Sequence, residues 1–286
     1  MQVDCALILS AGLGTRMGEI GKVIPKVMWP IGQKKLIDLQ IDYCRDLGIN
    51  KIFINVHYLS KVIEDHIVKN YGKEIIILNE DPLLDSGGAI HNLAKHPLVN
   101  FKGNVLLVNG DQFLIFEKGY YNQALSILDD ARAVLFGIKV GKNENYNEVK
   151  VEKSKMVEIA KNQKTHDYIT YSGLGILKLD GLIHVDGISK FFETVANYKT
   201  ENIKMITPEV FEYWDFGTAP IYFENIFKAL GLDETNSSFI NFLKKHSVNL
   251  KSESLFINQE LLSVDLDRKG RFAKSSLLKN EIVQKI

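Results

Sequence analysis

Continuous apolar runs alternate with helical periodicity through the first 140 residues, and no other feature limits the possible folds so much. Runs that read as buried strands cover 5–9, 51–56, 74–78, 105–108 and 133–140, and helical patterns cover 36–47, 59–70, 89–95 and 119–129. A strand that is apolar at every position has no side to turn to water, so its sheet needs helices over both faces. Parallel strands joined by right-handed helical crossovers supply that cover. The expectation is a three-layer α/β sandwich with a mostly parallel central sheet and helices on both faces. Loops leaving the strand C-terminal ends then share one edge, where ligands of such sheets bind.

Past residue 145 the pattern changes. Residues 148–152 and 155–159 alternate as a hairpin around Lys153-Ser154, and 168–178 reads as a further strand containing Gly173 and Gly175. A helix is expected over 189–197, strands over 203–206 and 210–214, and a helix over 220–230. This section reads as a small antiparallel lobe facing the substrate. The expected division is a catalytic domain over 1–230 and a C-terminal extension over 231–286. Within the extension, 239–246 reads as a short helix. The remainder holds isolated apolar pairs and is expected to be irregular. A rudimentary β-helix coil over 275–283, or a dimer contact, is the alternative, since one such coil cannot bury its own face.

The chain has 286 residues, 45% of them apolar, enough for a core without disulfide or zinc staples. Lysine plus arginine equals aspartate plus glutamate, at 35 each. That balance argues against coating a nucleic acid, which needs a basic excess, but allows a local basic pocket. Cys5 and Cys44 cannot build a disulfide framework and read as small core residues, as suits a reducing compartment. No run approaches the roughly 18 apolar residues of a membrane span, and the N-terminus lacks the basic start of a signal peptide. A cytoplasmic protein with no membrane or nucleic-acid partner is expected, as a monomer or homodimer. The seven histidines show no zinc-ligand spacing.

The densest motif is Leu9-Ser10-Ala11-Gly12-Leu13-Gly14-Thr15-Arg16-Met17, followed by Pro25-Lys26. It is a strand that stops in small residues. Gly12 and Gly14 can take positive φ and let the backbone approach a ligand. Successive amide N–H groups in such a turn form an anion-binding hollow. Arg16 can grip two phosphate oxygens at once, and Lys26 adds a point charge at the same edge. The set suits a triphosphate. It is not a dinucleotide fingerprint, because glycines at 12, 14 and 18 put the third one residue late. Nor is it a P-loop, because no G-K-[ST] follows. The spacing therefore disfavours a nicotinamide oxidoreductase. Glycines alone would equally suit an ordinary turn beside surface charges.

Together these residues resemble the signature of the sugar-1-phosphate nucleotidyltransferases, whose fold is Rossmann-like: a small-residue run into G-x-G-[ST]-R-[LM], then P-K. Ser10 stands where Ala or Gly is usual and Val27 where many members have a second proline, and neither change alters the charges. Four further segments match in order. Glu80-Asp81-Pro82-Leu83-Leu84-Asp85-Ser86-Gly87-Gly88-Ala89-Ile90 is similar to the loop that cradles base and ribose, although alone it reads as a helix start capped by Ser86. Val105-Leu106-Leu107-Val108-Asn109-Gly110-Asp111 is a buried strand ending in an acid, which at this edge can bind Mg²⁺ or simply serve a turn. Residues 168–176 resemble the strand lining the sugar pocket, where Gly173 would leave room for a pyranose ring. Trp214-Asp215-Phe216-Gly217-Thr218-Ala219-Pro220 is similar to the family's D-[IV]-G-T-P block.

The resemblance implies nucleotide contacts from Leu9, Ala11, Gly12, Gly14, Thr15, Glu80, Ser86, Gly87 and Gly88. It implies substrate contacts from Asn109, Gly173 and Lys161, and catalytic roles for Arg16, Lys26 and Asp111. It also implies Mg²⁺ held by Asp111 and Asp215. Where many members carry E-K-P, this chain has Glu158-Ile159-Ala160-Lys161-Asn162, so only Lys161 is left to take that role. That departure points to the subgroup with N-acetylmuramate-1-phosphate uridylyltransferases and mannose- or heptose-1-phosphate guanylyltransferases. The implied reaction joins an NTP (UTP or GTP) to a sugar 1-phosphate, with in-line attack on the α-phosphorus and loss of pyrophosphate. The attacking phosphate has a second pKa of about 6, so it needs no general base at neutral pH. Two other readings are a cytidylyltransferase of isoprenoid type, which shares the glycine loop but not the later blocks, and a non-catalytic relative that binds NDP-sugars.

Overall fold

The computed structural model describes residues 2–18, 20–161, 165–232, 235–248 and 250, and after these the backbone of four strands between 254 and 284. The first half runs β1 (Cys5–Leu9), β2 (Pro30–Ile31), β3 (Lys34–Lys35), α1 (Leu36–Asp46), β4 (Ile52–Val56) and α2 (Ser60–Tyr71). It continues through β5 (Ile75–Asn79), α3 (Asp85–Lys95), β6 (Asn104–Asn109), β7 (Gln112–Phe116), α4 (Lys118–Ile127) and β8 (Ala133–Val140). Then follow β9 (Glu148–Glu152), β10 (Lys155–Ala160), β11 (Tyr168–Lys178), α5 (Phe191–Thr194) and β12 (Ile203–Ile206). The last elements with described side chains are β13 (Phe211–Asp215), α6 (Ala219–Leu230) and α7 (Ser238–Lys245).

Nine strands form one sheet in the order β5-β4-β1-β6-β11-β8-β12-β10-β9. β5, β4, β1 and β6 are parallel, β11 runs against both β6 and β8, and β12 is parallel to β8. The hairpin β9–β10 turns at Lys153 and Ser154, both with positive φ, as a tight two-residue connection requires. β10 then pairs with β12, so the antiparallel section continues the central sheet at its edge.

Successive side chains of a strand point to opposite faces, and the core divides by that parity. Ala6 and Ile8 of β1 and Leu106 and Val108 of β6 join one apolar cluster with α1, α2, α4, α6 and α7. Cys5 and Leu7 of β1 and Val105 and Leu107 of β6 join a second cluster with α3 and α5. The architecture is therefore the three-layer α/β sandwich that the doubly apolar strands require. Both cysteines are free and buried, and burial pushes the Cys5 thiol up to about 12. No helix among the described residues is long and apolar enough to cross a membrane.

Three elements differ from expectation. The helix expected over 189–197 shortens to Phe191–Thr194, because the backbone of Ser189 is engaged with the start of α3 instead. β7 was not foreseen: its run follows β6 after only Gly110 and Asp111, leaves the central sheet and pairs antiparallel with β13. The end of the chain is regular where it is described. β14 (Ser254–Ile257), β15 (Glu260–Leu266), β16 (Phe272–Leu277) and β17 (Val283–Gln284) form an antiparallel sheet in chain order. The alternation of Leu262-Ser263-Val264-Asp265-Leu266 is the period of such a strand. Ser275 and Ser276 pair with Gln284 and Val283, which opposes the two sides of 275–283 as hairpin partners and not as sides of a coil. Residues 278–282 of that stretch lie outside the described residues.

Candidate active site

The four parallel strands end on one edge, and the chain leaving each of them lines a single cleft of about 950 Å³. Residues 9–16 follow β1, His57 follows β4, residues 80–83 follow β5, and Asn109 and Asp111 close β6. Lys26, Asn55, Asp85, Ser86, Gln112, Ile188 and Gly217 also line it.

The loop after β1 is held from below. Met17 is fully buried, and its N–H donates to Gly14 O at 2.9 Å, which closes a short 3-10 turn after Gly14 at φ 65°. A Cβ at Gly12 would meet nothing within 4 Å, so this residue keeps the cleft open rather than making room for the protein. The Ser10 N–H donates to Asn55 Oδ1 at 2.7 Å, and the Asn55 amide in turn donates to Glu80 Oε1 at 2.8 Å. Glu80 Oε2 accepts from the Leu84 N–H at 3.0 Å. Burial raises the Glu80 carboxyl above its ordinary range, against the pull of those two donors. Glu80 thus braces two cleft loops against each other.

β7 and β13 explain how two carboxylates distant in sequence meet. Gln112 stands opposite Asp215 in the ribbon, and the Phe216 N–H donates to Asp111 O at 2.8 Å. Aromatic rings fix the ribbon from behind. Phe113 lies 5.4 Å from Phe239 and 6.1 Å from Phe216, and Trp214 stacks on Phe239 at 4.6 Å, centroid to centroid. A Cβ on Gly217 would stand 3.2 Å from Asp111 Oδ2 and 2.8 Å from Asp215 Oδ1, so the two carboxylates flank one glycine. Lys26 Nζ donates to Asp111 Oδ2. Asp215 Oδ1 accepts from the Gly217 N–H at 2.7 Å, and Oδ2 accepts from the Tyr146 hydroxyl at 2.9 Å and the Gln112 amide at 3.2 Å. Burial and the neighbouring Asp215 charge both push the Tyr146 hydroxyl up, which keeps it a donor.

Two carboxylates separated by a glycine fit Mg²⁺, which takes one or two protein carboxylates and completes its octahedron with water and phosphate oxygens. Among the described residues no group of three or more His, Cys, Asp or Glu side chains converges as a metal cage.

A second cleft of about 670 Å³ adjoins the first and shares Leu9, Asp85, Ser86 and Asn109 with it. Part of its wall is aromatic, with Tyr171 stacked on Phe191 at 5.8 Å and Phe192 against Phe191 at 4.8 Å. Lys161, Lys190 and Lys199 line it, with Glu193, Asn147 and Asn197.

Of the residues singled out from sequence, Leu9, Ala11, Gly12, Gly14, Thr15, Arg16, Lys26, Glu80, Ser86, Asn109 and Asp111 line the first cleft. Lys161 lines the second, and Asp215 stands beside Asp111 across Gly217. Three glycines stand elsewhere. Gly87 and Gly88 were expected to open main chain to the base, yet both are buried, and a Cβ on either would strike the backbone of residues 187–190. Gly173 was expected to leave room for a sugar ring. It sits at φ +85°, and the space a Cβ would occupy is filled by the Asn109 amide and by Gln112 Oε1 at 2.5 Å. In all three the missing side chain serves contact of protein with protein. Sequence reading missed Gln112, Tyr146, Ile188 and Lys190, which belong to no motif. The apolar run 113–116 was the one available signal, because a strand there would have placed Gln112 beside Asp111.

Comparison with known proteins places the chain in a family. Residues 5–162 match the nucleotidyl transferase family model. The D-glycero-alpha-D-manno-heptose 1-phosphate guanylyltransferase of Campylobacter jejuni is 36% identical over 109 residues, 38% of this chain and 48% of that protein. The N-acetylmuramate alpha-1-phosphate uridylyltransferase of Caulobacter vibrioides is 32% identical over 120 residues, 40% of this chain and 48% of that protein. The matches thus span about half the length of these curated relatives. The crystal structure of HddC from Yersinia pseudotuberculosis complexed with GMP-PN shares the fold, with a TM-score of 0.64 at 23% identity, covering 78% of this chain and 97% of that one. With more than half of its length inside the family model, and with the glycine loop and Asp111 within that stretch, the chain belongs to the nucleotidyl transferase family.

Proposed function

We propose that this protein transfers a nucleotidyl group from UTP or GTP to a sugar 1-phosphate and releases pyrophosphate. One observation carries the reading: Asp111 and Asp215 flank Gly217, and Asp111 and Gly217 line the same cleft as the glycine loop with its Arg16 and Lys26. The names of the relatives support both the acceptor class and the choice of two bases. Two polyanions must be brought together here, and the chain supplies charge and position instead of an acid–base pair.

The glycine loop and Arg16 bind the β- and γ-phosphates and stabilise the pyrophosphate as it leaves. Lys26 holds Asp111 in place and adds positive charge beside it. Gln112 and Tyr146 orient Asp215 through its Oδ2. Lys161 receives the sugar phosphate in the second cleft, the part played by the absent E-K-P lysine. Mg²⁺ held by Asp111 and Asp215 would neutralise charge at the α-phosphate. The attacking phosphate is mostly dianionic near neutral pH, so no side chain needs to remove a proton from it. The NTP substrate and two buried free thiols suit a reducing, cytoplasmic setting.

The test is pyrophosphate release from each of the four NTPs against a panel of sugar 1-phosphates with Mg²⁺ present. One base and one acceptor class should stand well above the rest. Nucleotide binding without pyrophosphate from any pairing would overturn the enzymatic reading.

A further inference from the structure

A short segment opposite the glycine loop sends side chains into both clefts. Residues 187–190 run across the first turn of α3. The Gly88 N–H donates to Ser189 O at 3.1 Å, and the Ser189 N–H donates to Leu84 O at 3.0 Å. The approach is so close that a Cβ on Gly88 would meet Gly187 O at 2.5 Å, and one on Gly87 would meet Ser189 O at 2.7 Å. Ser189 is buried, and its hydroxyl accepts from Thr194 Oγ1 at 3.0 Å. The residues on either side of it are exposed. Ile188 lines the nucleotide-side cleft and Lys190 the acceptor-side cleft. Asp85 and Ser86, on the turn beneath, line both.

Neither side chain has a structural reason to be where it is. Ile188 is 66% exposed and belongs to neither apolar core. Among the described residues Lys190 pairs with the exposed Glu193, at 3.2 Å. A pair of that kind is worth little in water and yields readily to a stronger anion. The segment is nonetheless fixed by two backbone hydrogen bonds and by two glycines that admit nothing larger.

We propose that residues 187–190 form a two-sided specificity strap. Ile188 gives the nucleoside an apolar wall, and Lys190 binds an anionic group of the acceptor. The inference rests on the function proposed above and assigns two of its contacts. Because the strap is zipped to α3, both contacts are set by one rigid piece of backbone, which fixes the spacing between the two substrates.

The two contacts separate in kinetics. With the intact chain, Ile188→Asp should raise KM for the nucleotide roughly ten-fold and leave the acceptor KM within about two-fold, while Ile188→Leu stays near the unaltered protein. Lys190→Ala should raise the acceptor KM roughly ten-fold and spare the nucleotide KM, with Lys190→Arg recovering most of the loss. Calorimetry with GTP and UTP should show the first change and not the second. Both positions are exposed, so unchanged melting curves establish that the variants are folded. The strap is overturned if Ile188→Asp leaves nucleotide affinity intact, or if both variants move both constants alike. Absence of GTP and UTP binding by the unaltered protein would overturn the function itself, and the strap with it.

Discussion

The two clefts are made in different ways. The nucleotide side is lined by consecutive residues, 9–16 and 80–83, each leaving the end of one parallel strand. Its loops are tied to one another, as in the chain from the Ser10 N–H through Asn55 to Glu80. The acceptor side gathers side chains from β6, β10, β11 and residues 190–199, and presents three lysines on an aromatic wall. A triphosphate always presents the same anionic outline, so fixed main-chain geometry can meet it. Acceptors differ in their ring substituents, and exchangeable side chains on separate segments are the better match.

The heaviest blow to this picture would come at the paired carboxylates. Asp111→Asn should lower kcat by roughly 10²–10³-fold while the protein stays folded by thermal melting. Unchanged pyrophosphate release would mean that the clefts do not converge on the carboxylates. Gly173→Ala comes next, under the acceptor side. Positive φ and the collision with Asn109 should cost about 1–3 kcal/mol and lower Tm by several degrees. A stable variant would show that Asn109 yields and that the acceptor floor is soft.

Lys161→Ala should raise the acceptor KM roughly ten-fold and leave the nucleotide KM alone, sharpening the division between the sides. The smallest expected effect lies under the nucleotide loops. Burial raises the Glu80 carboxyl above its ordinary 4.5, so its protonated form favours the folded state. That contribution is complete below 4.5 and is lost as pH rises through the raised folded value. The stability of the wild type relative to Glu80→Gln should therefore fall across that window. A difference that is flat with pH would remove Glu80 from the group of perturbed carboxyls.

The contrast between the clefts also explains what could be read in advance. Residues of the nucleotide side are neighbours in sequence, so the spacing from Gly12 to Arg16 and the acid after β6 are visible as strings. Doubly apolar strands betrayed the sandwich because nothing else can cover both of their faces. The acceptor side offers no string. Lys190 and Lys161 meet only after the chain has built β11 and returned, and Tyr146 reaches Asp215 across the fold. Glycines misled for a related reason. Gly87, Gly88 and Gly173 announce that something comes close, but only the folded chain shows that backbone or an amide fills the place of the missing side chain. β7 escaped because its run starts directly after the acid on which the 105–111 strand was read to end, and it departs to form a separate ribbon.

That ribbon has an electrostatic consequence. Its aromatic backing and its backbone bond to Asp111 hold two like charges together whether or not a substrate is present. Their mutual repulsion is met once, when the chain folds, with the Lys26 ammonium as partial counterweight. If the proposed function holds, each turnover would begin from carboxylates already aimed, with little reorganisation needed as the new bond forms.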